Sequence, residues 1–199
     1  MKGGKTMRTA QIVRTTKETD ITINLNLDDA PKAVINTGVG FFDHMLTALA
    51  IHSGISLEVS VKGDLEVDCH HTIEDTGIAL GQAFAKALGD KGGINRYGSA
   101  FIPMDEALGF ASLDISGRPF LVCTAEFAFE KMGDMDTQMV EEFFRALCFN
   151  AGITLHISAM YGVNDHHKAE AMFKAFAHAL KTAITKTIDG QVLSTKGVL

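Results

Sequence analysis

Two pairs of adjacent histidines, each followed by a glutamate at the same distance, are the residues of this chain best suited to chemistry. The two sets are His70, His71 and Glu74, and His166, His167 and Glu170. On a helix, residues three and four positions apart lie on one face, so each set can converge at one helix end. Imidazole and carboxylate together suit a divalent first-row metal such as Mn, Fe, Zn or Ni. The pattern predicts a duplicated metal site, although a single copy would be equally typical of a polar helix end.

The duplication extends beyond these two sets and supplies further ligands. Residues 44–59 align with 142–157 without gaps, and residues 70–88 align with 166–184. This internal repeat places Glu142 opposite His44. The eight ligand candidates are His44, His70, His71, Glu74, Glu142, His166, His167 and Glu170. Eight side chains would serve two six-coordinate ions with four protein ligands and two open positions each, and open positions are typical of catalytic sites.

Composition limits the class of protein and its partners. The chain has 199 residues, 46% of them hydrophobic, and a formal charge of −6, so it is globular and poorly suited to nucleic acid or an anionic membrane. Three cysteines without CxxC spacing argue against a disulfide framework and favour a reducing cytoplasm. No signal peptide or apolar run of membrane-spanning length is expected. Residues 1–7 are predicted to be a disordered tail, and residues 8–199 a single domain.

Hydrophobic periodicity predicts the elements that position these residues. In the first half, residues 8–28 alternate as a β-hairpin and residues 55–61 as a strand, with helices over 41–53 and 72–88. In the second half, residues 111–129 are strand-like with a turn at 116–119, residues 153–159 form a strand, and helices cover 140–150 and 168–187. The predicted fold is α+β, with half-repeats of about 8–95 and 96–199, each a β-sheet with helices packed on one face.

Other polar residues admit two interpretations. His52 lies two turns beyond His44 and could face the site, whereas His156 and His178 are better explained by structural or surface roles. Turns, Gly-rich loops and the second His/Glu helix carry the basic residues Arg96, Arg118, Lys174 and Lys196. Such cations suit a phosphate group, although each alone could be a solvated charge. Asp105 and Glu106 form a carboxylate pair of a kind common in loops.

Five segments together resemble the imidazoleglycerol-phosphate dehydratase family. They are residues Phe42 to Leu46, Cys69 to Asp75, Ser116 to Pro119, Asn164 to Glu170, and Ser194 to Gly197. The resemblance runs from Arg8 to near the end of the chain. It implies a duplicated α+β fold, cytoplasmic histidine biosynthesis, and hollow 24-subunit particles of cubic symmetry with two Mn²⁺ ions in each site between subunits. The implied reaction is the dehydration of D-erythro-imidazole glycerol phosphate to imidazole acetol phosphate, with the two metals binding the substrate imidazole as imidazolate.

The resemblance also assigns roles to individual residues. It implies that the eight candidates above are the metal ligands, and that substrate contacts come from Glu18, His52, Arg96, Arg118, Lys174, Ser194, Thr195 and Lys196. For proton transfers the candidates are Glu18, His52 and Asp105. One position departs from the pattern, because many members have His where this chain has Glu142. Glutamate is a competent Mn²⁺ ligand, so activity should survive while metal preference changes. The repeat register favours Glu142 over the neighbouring Glu141.

Two rival functions use the same residues. A metal-dependent hydrolase would activate water and add it to its substrate, but it leaves the long substrate-specific segments unexplained. A non-catalytic metal-binding shell protein would bind metal without turnover.

Overall fold

The computed structural model describes residues 7–187, 191, 193 and 194. The first half contains β1 (Thr9–Thr15), β2 (Thr19–Asn26), β3 (Lys32–Asn36), α1 (Gly40–Ser53), β4 (Ser56–Gly63) and α2 (His70–Leu88). The second half contains β5 (Tyr97–Met104), β6 (Ala107–Asp114), β7 (Phe120–Thr124), β8 (Lys131–Met132), β9 (Met135–Asp136), α3 (Met139–Ala151), β10 (Thr154–Tyr161) and α4 (Asp165–Ala183). Apart from the short β8–β9 hairpin, the two halves have the same order of elements.

Each half forms a four-stranded sheet of the same topology. The strand orders are β1-β2-β4-β3 and β5-β6-β10-β7, and in each sheet the last pair is parallel while the others are antiparallel. Period-two alternation buries one face, as β2 shows with Ile21, Ile23 and Leu25. The α+β prediction, with helices covering one face of each sheet, is confirmed. The predicted boundaries of the half-repeats stay a prediction.

Within the described residues, each of the four helices packs against a helix of the opposite half. Helix α1 packs against α4, and α2 packs against α3. Two glycines let α2 and α3 approach closely: a Cβ at Gly81 would lie 2.5 Å from the carbonyl oxygen of Leu147, and one at Gly77 would lie 2.8 Å from that of Phe143. Much of the core lies where the helices meet, around the buried rings of Phe144 and Phe173. This crossed packing brings the histidine-bearing helices of opposite halves together.

Several predicted boundaries were wrong for identifiable reasons. The helix predicted over 168–187 ends at Ala183, where a run of β-branched residues begins, and Ile94 and Lys186 form an isolated β-bridge. The strand-like stretch 111–129 ends at Thr124. Four strands were not predicted, because their sequences show no clear hydrophobic alternation: β3, β5, β8 and β9. The predicted tail over residues 1–7 lies outside the described residues except for Met7, which is exposed. Across the described chain, no helix combines the length and apolarity needed to span a membrane.

Candidate metal and substrate site

His44, His166 and Glu170 form a compact group at the contact between α1 and α4. The Oε2 atom of Glu170 lies 3.4 Å from Nε2 of His44 and 3.1 Å from Nε2 of His166. All three ligand atoms lie within 4.8 Å of one another, and among the described residues this is the one His/Cys/Asp/Glu group that meets this criterion. The group joins the two halves of the chain, because His44 comes from the first and the other two residues from the second.

Local packing fixes the orientation of this group. The side chain of Asn164 caps α4 by accepting hydrogen bonds from the backbone N–H groups of His166 and His167. The ring of Phe41 meets the ring of His166 edge-on, with 5.0 Å between centroids. At the start of α1, Val39 cannot cap the helix, and Asp134 from the β8–β9 hairpin accepts hydrogen bonds from the N–H groups of Gly40 and Phe41 instead.

The side chain of Glu170 is held as an ionised carboxylate, which is the form that binds a cation. Its side chain is only 8% exposed, and burial alone would raise its pKa. Hydrogen bonding and charge from Lys174, whose Nζ lies 2.6 Å from Oε1, and from His44 outweigh burial and hold the pKa below its usual range. Oε2 is left facing the two imidazoles. Two imidazole nitrogens and one carboxylate oxygen at this separation fit a divalent first-row metal ion.

The second histidine of each pair points elsewhere and is oriented by a carboxylate. Nδ1 of His167 lies 2.7 Å from Oε2 of Glu106, and Nδ1 of His71 lies 3.0 Å from Oδ2 of Asp64. These hydrogen bonds raise the pKa of both imidazoles. Metal-binding histidines characteristically bond a carboxylate through the ring nitrogen that does not bind the metal. Nε2 is thus the atom that each ring offers to a ligand.

The two β-hairpin turns bring a further carboxylate to each of these rings. Glu18, in the β1–β2 turn, places Oε1 at 3.8 Å from Nε2 of His71. Asp105, in the β5–β6 turn, places Oδ2 at 3.7 Å from Nε2 of His167. The candidates for proton transfer in the two turns therefore occupy matching places in the two halves.

The remaining predicted ligands, His70 and Glu74 of the first half and Glu142 of the second, do not converge as His44, His166 and Glu170 do. Nε2 of His70 lies 3.4 Å from Oε2 of Glu74. The Oε2 atom of Glu142 lies 3.4 Å from Nε of Arg145, and the same guanidinium also pairs with Glu141. The eight-ligand set thus divides into one compact trio, one open set and two histidines that bond carboxylates, and it stays a prediction.

His52 contacts another histidine rather than the trio. Its Nδ1 lies 3.3 Å from Nε2 of His178, and both rings are half-buried between α1 and α4. Burial, followed by the charge of Lys174, lowers the pKa of His52. His178 was predicted to have a packing or surface role, and no pattern in the sequence indicated that His52 is its partner. His156, predicted to be structural, is exposed on β10.

The arginines predicted to bind phosphate gather around Asp114 at the other end of the second sheet. Arg96 places Nε at 2.6 Å from Oδ1 of Asp114 and donates a hydrogen bond to the carbonyl of Leu193, while Arg118 reaches the same carboxylate at 3.6 Å. Ser194 follows Leu193, whereas Thr195 and Lys196 lie outside the described residues. Lys174 is separate from this group, since it pairs with Glu170.

The length of the strands keeps these arginines away from the histidines. Tyr97 pairs with Asp114 at one end of β5 and β6, and Met104 pairs with Ala107 at the other, next to Asp105 and Glu106. Seven residues of antiparallel strand span roughly 24 Å. One small phosphate-bearing molecule therefore cannot contact Arg96 and His167 of the same chain.

Sequence reasoning missed a second layer of residues that support the site. Besides Asp64, Glu106 and Asp134, this layer includes the buried pair of Asp165 and Lys168. Asp165 accepts hydrogen bonds from the N–H groups of Ala128 and Phe129, and Lys168 donates to the carbonyl of Glu126. These contacts tie the loop after β7 to the first turn of α4. The position of Asp165 directly before the second histidine pair was the available signal.

Comparisons with known proteins agree with one another. The sequence profile described as imidazoleglycerol-phosphate dehydratase matches residues 37–180. A protein of that name from Acetivibrio thermocellus is 59% identical over 194 residues, which cover 96% of this chain and 99% of the relative. A relative from Streptococcus sanguinis is 58% identical over 195 residues, covering 97% and 100% of the two chains.

Solved structures of the same description have the same fold. The crystal structure of imidazoleglycerol-phosphate dehydratase from Staphylococcus aureus superposes with a TM-score of 0.82 at 46% identity, covering 90% of this chain and 99% of the other. The enzyme from Pyrococcus furiosus, in complex with (S)-C348, gives a TM-score of 0.81 at 36% identity, covering 94% and 100%.

Proposed function

Because this chain belongs to the imidazoleglycerol-phosphate dehydratase family, a family of hydro-lyases, we propose that it removes water from D-erythro-imidazole glycerol phosphate to give imidazole acetol phosphate. The observation that carries this proposal is the trio of His44, His166 and Glu170, with the carboxylate held ionised by Lys174. The product would serve histidine biosynthesis. The free thiols of Cys69, Cys123 and Cys148 support a cytoplasmic location.

We assign two Mn²⁺ ions to each site. His44, His166 and Glu170 would hold one, and His70, Glu74 and Glu142 the other. His71 and His167, oriented by Asp64 and Glu106, would each complete a site through Nε2. Bound there, the ions would bind the two ring nitrogens of the substrate and favour the imidazolate, whose electrons help to expel the C3 hydroxyl group.

Distances within one chain support an assembly. The Asp114 end of the second sheet, with Arg96 and Arg118, is roughly 24 Å from the end near His167, so a substrate that contacts these arginines and His167 would draw them from different copies. We propose a homo-oligomer of 24 subunits with its sites between subunits.

The chain's other residues would position the substrate and move protons. Arg96, Arg118, Lys174, Ser194, Thr195 and Lys196 are assigned to the phosphate and to orienting the glycerol chain. Glu18 lies beside His71 and Asp105 lies beside His167, where these carboxylates could take or return a proton at a carbon or oxygen of the glycerol. His52, whose pKa is lowered, stays neutral near pH 7 and can accept a proton.

The proposal is tested by assaying formation of imidazole acetol phosphate together with bound Mn²⁺ for His71→Ala, Glu170→Ala and the exposed control His156→Ala. We expect both site variants to lose metal and at least about a hundredfold in turnover, and the control to retain both. Full activity with unchanged metal in the site variants would refute the two-metal site. A product with water added would favour a hydrolase, and metal binding without turnover a shell protein.

Metal removal tests the assembly. Because histidines of one copy would complete sites in another, chelation should reduce the particle to smaller oligomers in light scattering, and added Mn²⁺ should restore it. A particle of unchanged size without metal would contradict sites built between subunits.

A further inference from the structure

We propose that the two metal positions of each chain are unequal, and that Arg145 makes the position containing Glu142 the weaker of the two. The His44 position would fill first, and the Glu142 position only at a higher Mn²⁺ concentration. This inference rests on the proposed two-metal site but concerns a feature of this chain's own residues.

The His44 position is compact within a single chain. The ligand atoms of His44, His166 and Glu170 already lie within 4.8 Å of one another. Lys174 contacts Oε1 of Glu170, whereas Oε2 faces the two imidazoles. The three ligand atoms are therefore already oriented towards one point, and an oriented set of ligands loses little freedom on binding a metal.

The Glu142 position is neither assembled nor buried. Side-chain exposure is 43% for Glu74 and 33% for Glu142, against 8% for Glu170. His70 and Glu74 form a pair, but within the described residues Glu142 does not join them in a compact ligand group. Its carboxylate is instead drawn along its own helix towards Arg145, three residues later.

The basic side chains next to the proposed ligands have no counterpart at the equivalent position of the other half. Lys174 follows the glutamate of the second half, whereas Ile78 stands at the equivalent place in the first. Arg145 follows the ligand of α3, whereas Thr47 stands at the equivalent place in α1. A metal at the Glu142 position must compete with a guanidinium for one carboxylate and then remain next to that positive charge.

Equilibrium dialysis of the metal-free protein against Mn²⁺ gives the total Mn²⁺ bound per chain at each free concentration, and the response of each binding step to the variants assigns it to a position. We expect two binding steps in the wild type. Arg145→Met should tighten the second step by roughly three- to tenfold, as expected for removing one positive charge several ångströms from a dication, and leave the first step unchanged. Arg145→Lys, which keeps the charge, should stay close to wild type. Lys32→Met, which breaks an exposed ion pair with Glu58 on the first sheet, is the matched control.

A double-mutant cycle isolates the contact itself. In Glu142→His the ligand can no longer pair with Arg145, but the positive charge remains, so the further change Arg145→Met should still tighten the second step, by less than it does in the wild-type background. Circular dichroism of each variant checks that the fold is retained.

The outcomes separate this inference from the proposed function. Dehydratase activity with two equal Mn²⁺ steps, or an Arg145→Met variant that shifts both steps or neither, overturns the inference alone. Two unequal steps with the predicted response to Arg145→Met, but without dehydratase activity, support it and overturn the proposed reaction. A protein that binds no Mn²⁺ overturns both.

Discussion

At the residue scale, the orientation of His167 depends on a carboxylate that is distant in sequence. Glu106 accepts hydrogen bonds from the backbone N–H groups of Val163 and Asn164 as well as bonding His167. The Asn164 N–H, followed by His167, lowers the pKa of Glu106 to about 2, so its carboxylate is ionised throughout the neutral range. The ring of His167 is therefore fixed by a charge that is itself fixed by the backbone.

Glu106→Gln should weaken Mn²⁺ binding while preserving the turn. The amide oxygen can still accept the hydrogen bonds from Val163 and Asn164, but the negative charge that orients His167 is lost. Loss of such a partner typically costs 10–100-fold in metal affinity. Equilibrium dialysis measures the effect, and Glu130→Gln, at an exposed carboxylate of the loop before β8, is the control. Unchanged affinity in Glu106→Gln would show that His167 needs no such partner.

Sequence reasoning was effective for residues whose partners are close in the chain. The spacing of His166 and Glu170 placed both on one face of a helix, and the structure has them 3.1 Å apart. The contact of His52 with His178 depends instead on how α1 crosses α4, as does that of His44 with Glu170. The repeat indicated that His44 belongs with the ligands, but not which half it meets.

At the element scale, the β8–β9 hairpin has a role out of proportion to its length. Within the described residues it is the one pair of elements without a counterpart in the other half, and it supplies Asp134 to the start of α1. Burial would raise the pKa of Asp134, but the N–H groups of Gly40 and Phe41 hold it low, so a negative charge stays at the positive end of the helix.

Asp134→Ala should therefore destabilise α1. Loss of a helix cap of this kind costs about 0.5–2 kcal/mol, and the thermal midpoint should fall accordingly. Because α1 carries His44, Mn²⁺ affinity of the first step should fall as well. Glu66→Ala, at an exposed carboxylate between β4 and α2, is the control for thermal unfolding. An Asp134→Ala variant as stable as this control would show that the hairpin is not a functional cap.

The close approach of α2 and α3 gives a second prediction for an element. In Gly81→Ala the added methyl group would meet the Leu147 carbonyl at 2.5 Å and Cβ of Asn150 at 2.7 Å, so the helices must separate. Overpacking of this kind costs about 1–3 kcal/mol. Gly40→Ala, whose Cβ would find its nearest neighbour at 3.6 Å, should be tolerated. Equal stability of the two variants in chemical unfolding would contradict the tight helix contact.

The elements themselves were predictable where burial is one-sided. The alternation in β2 and the glycine after α1 at Gly54 identified a strand and a helix end. Strand β3 is a five-residue edge strand whose inward residues are only half-buried, so its apolar alternation is weak, and β8 and β9, with two residues each, are too short for a period-two signal. Their positions are set by pairing with distant partners, which a single sequence does not show.

At the scale of the whole molecule, Asp28 links the beginning of the chain to the segment after α4. It accepts hydrogen bonds from the backbone and side chain of Arg8 and from Lys186. Burial would raise the pKa of Asp28, but these donors hold it well below its usual range. A carboxyl group whose pKa is lowered on folding stabilises the protein above the unfolded pKa of about 3.9, and this stabilisation is lost as the pH falls through the folded pKa.

Asp28→Asn should reduce the free energy of unfolding at pH 7 by about 1–3 kcal/mol, the range for hydrogen bonds to charged groups. The difference from wild type should shrink as the pH falls below about 4, where the Asp28 carboxyl of the unfolded wild-type chain begins to take up a proton while that of the folded chain stays ionised. Urea unfolding at several pH values measures both effects. Glu58→Gln, at a solvent-exposed ion pair, should have little effect at either pH. A difference independent of pH would mean that the Asp28 charge does not matter.

The crossing of the helices has an evolutionary consequence. Each proposed ligand set draws one helix from each half, α1 with α4 and α2 with α3, so a polypeptide of half this length could not build either set alone. Two identical copies could build both, related by a twofold axis and constrained to remain alike. Fusion of two such copies into one chain would release that constraint. Each proposed position would then be free to specialise separately, as the pairing of Glu142 with Arg145 on one side and His44 on the other illustrates.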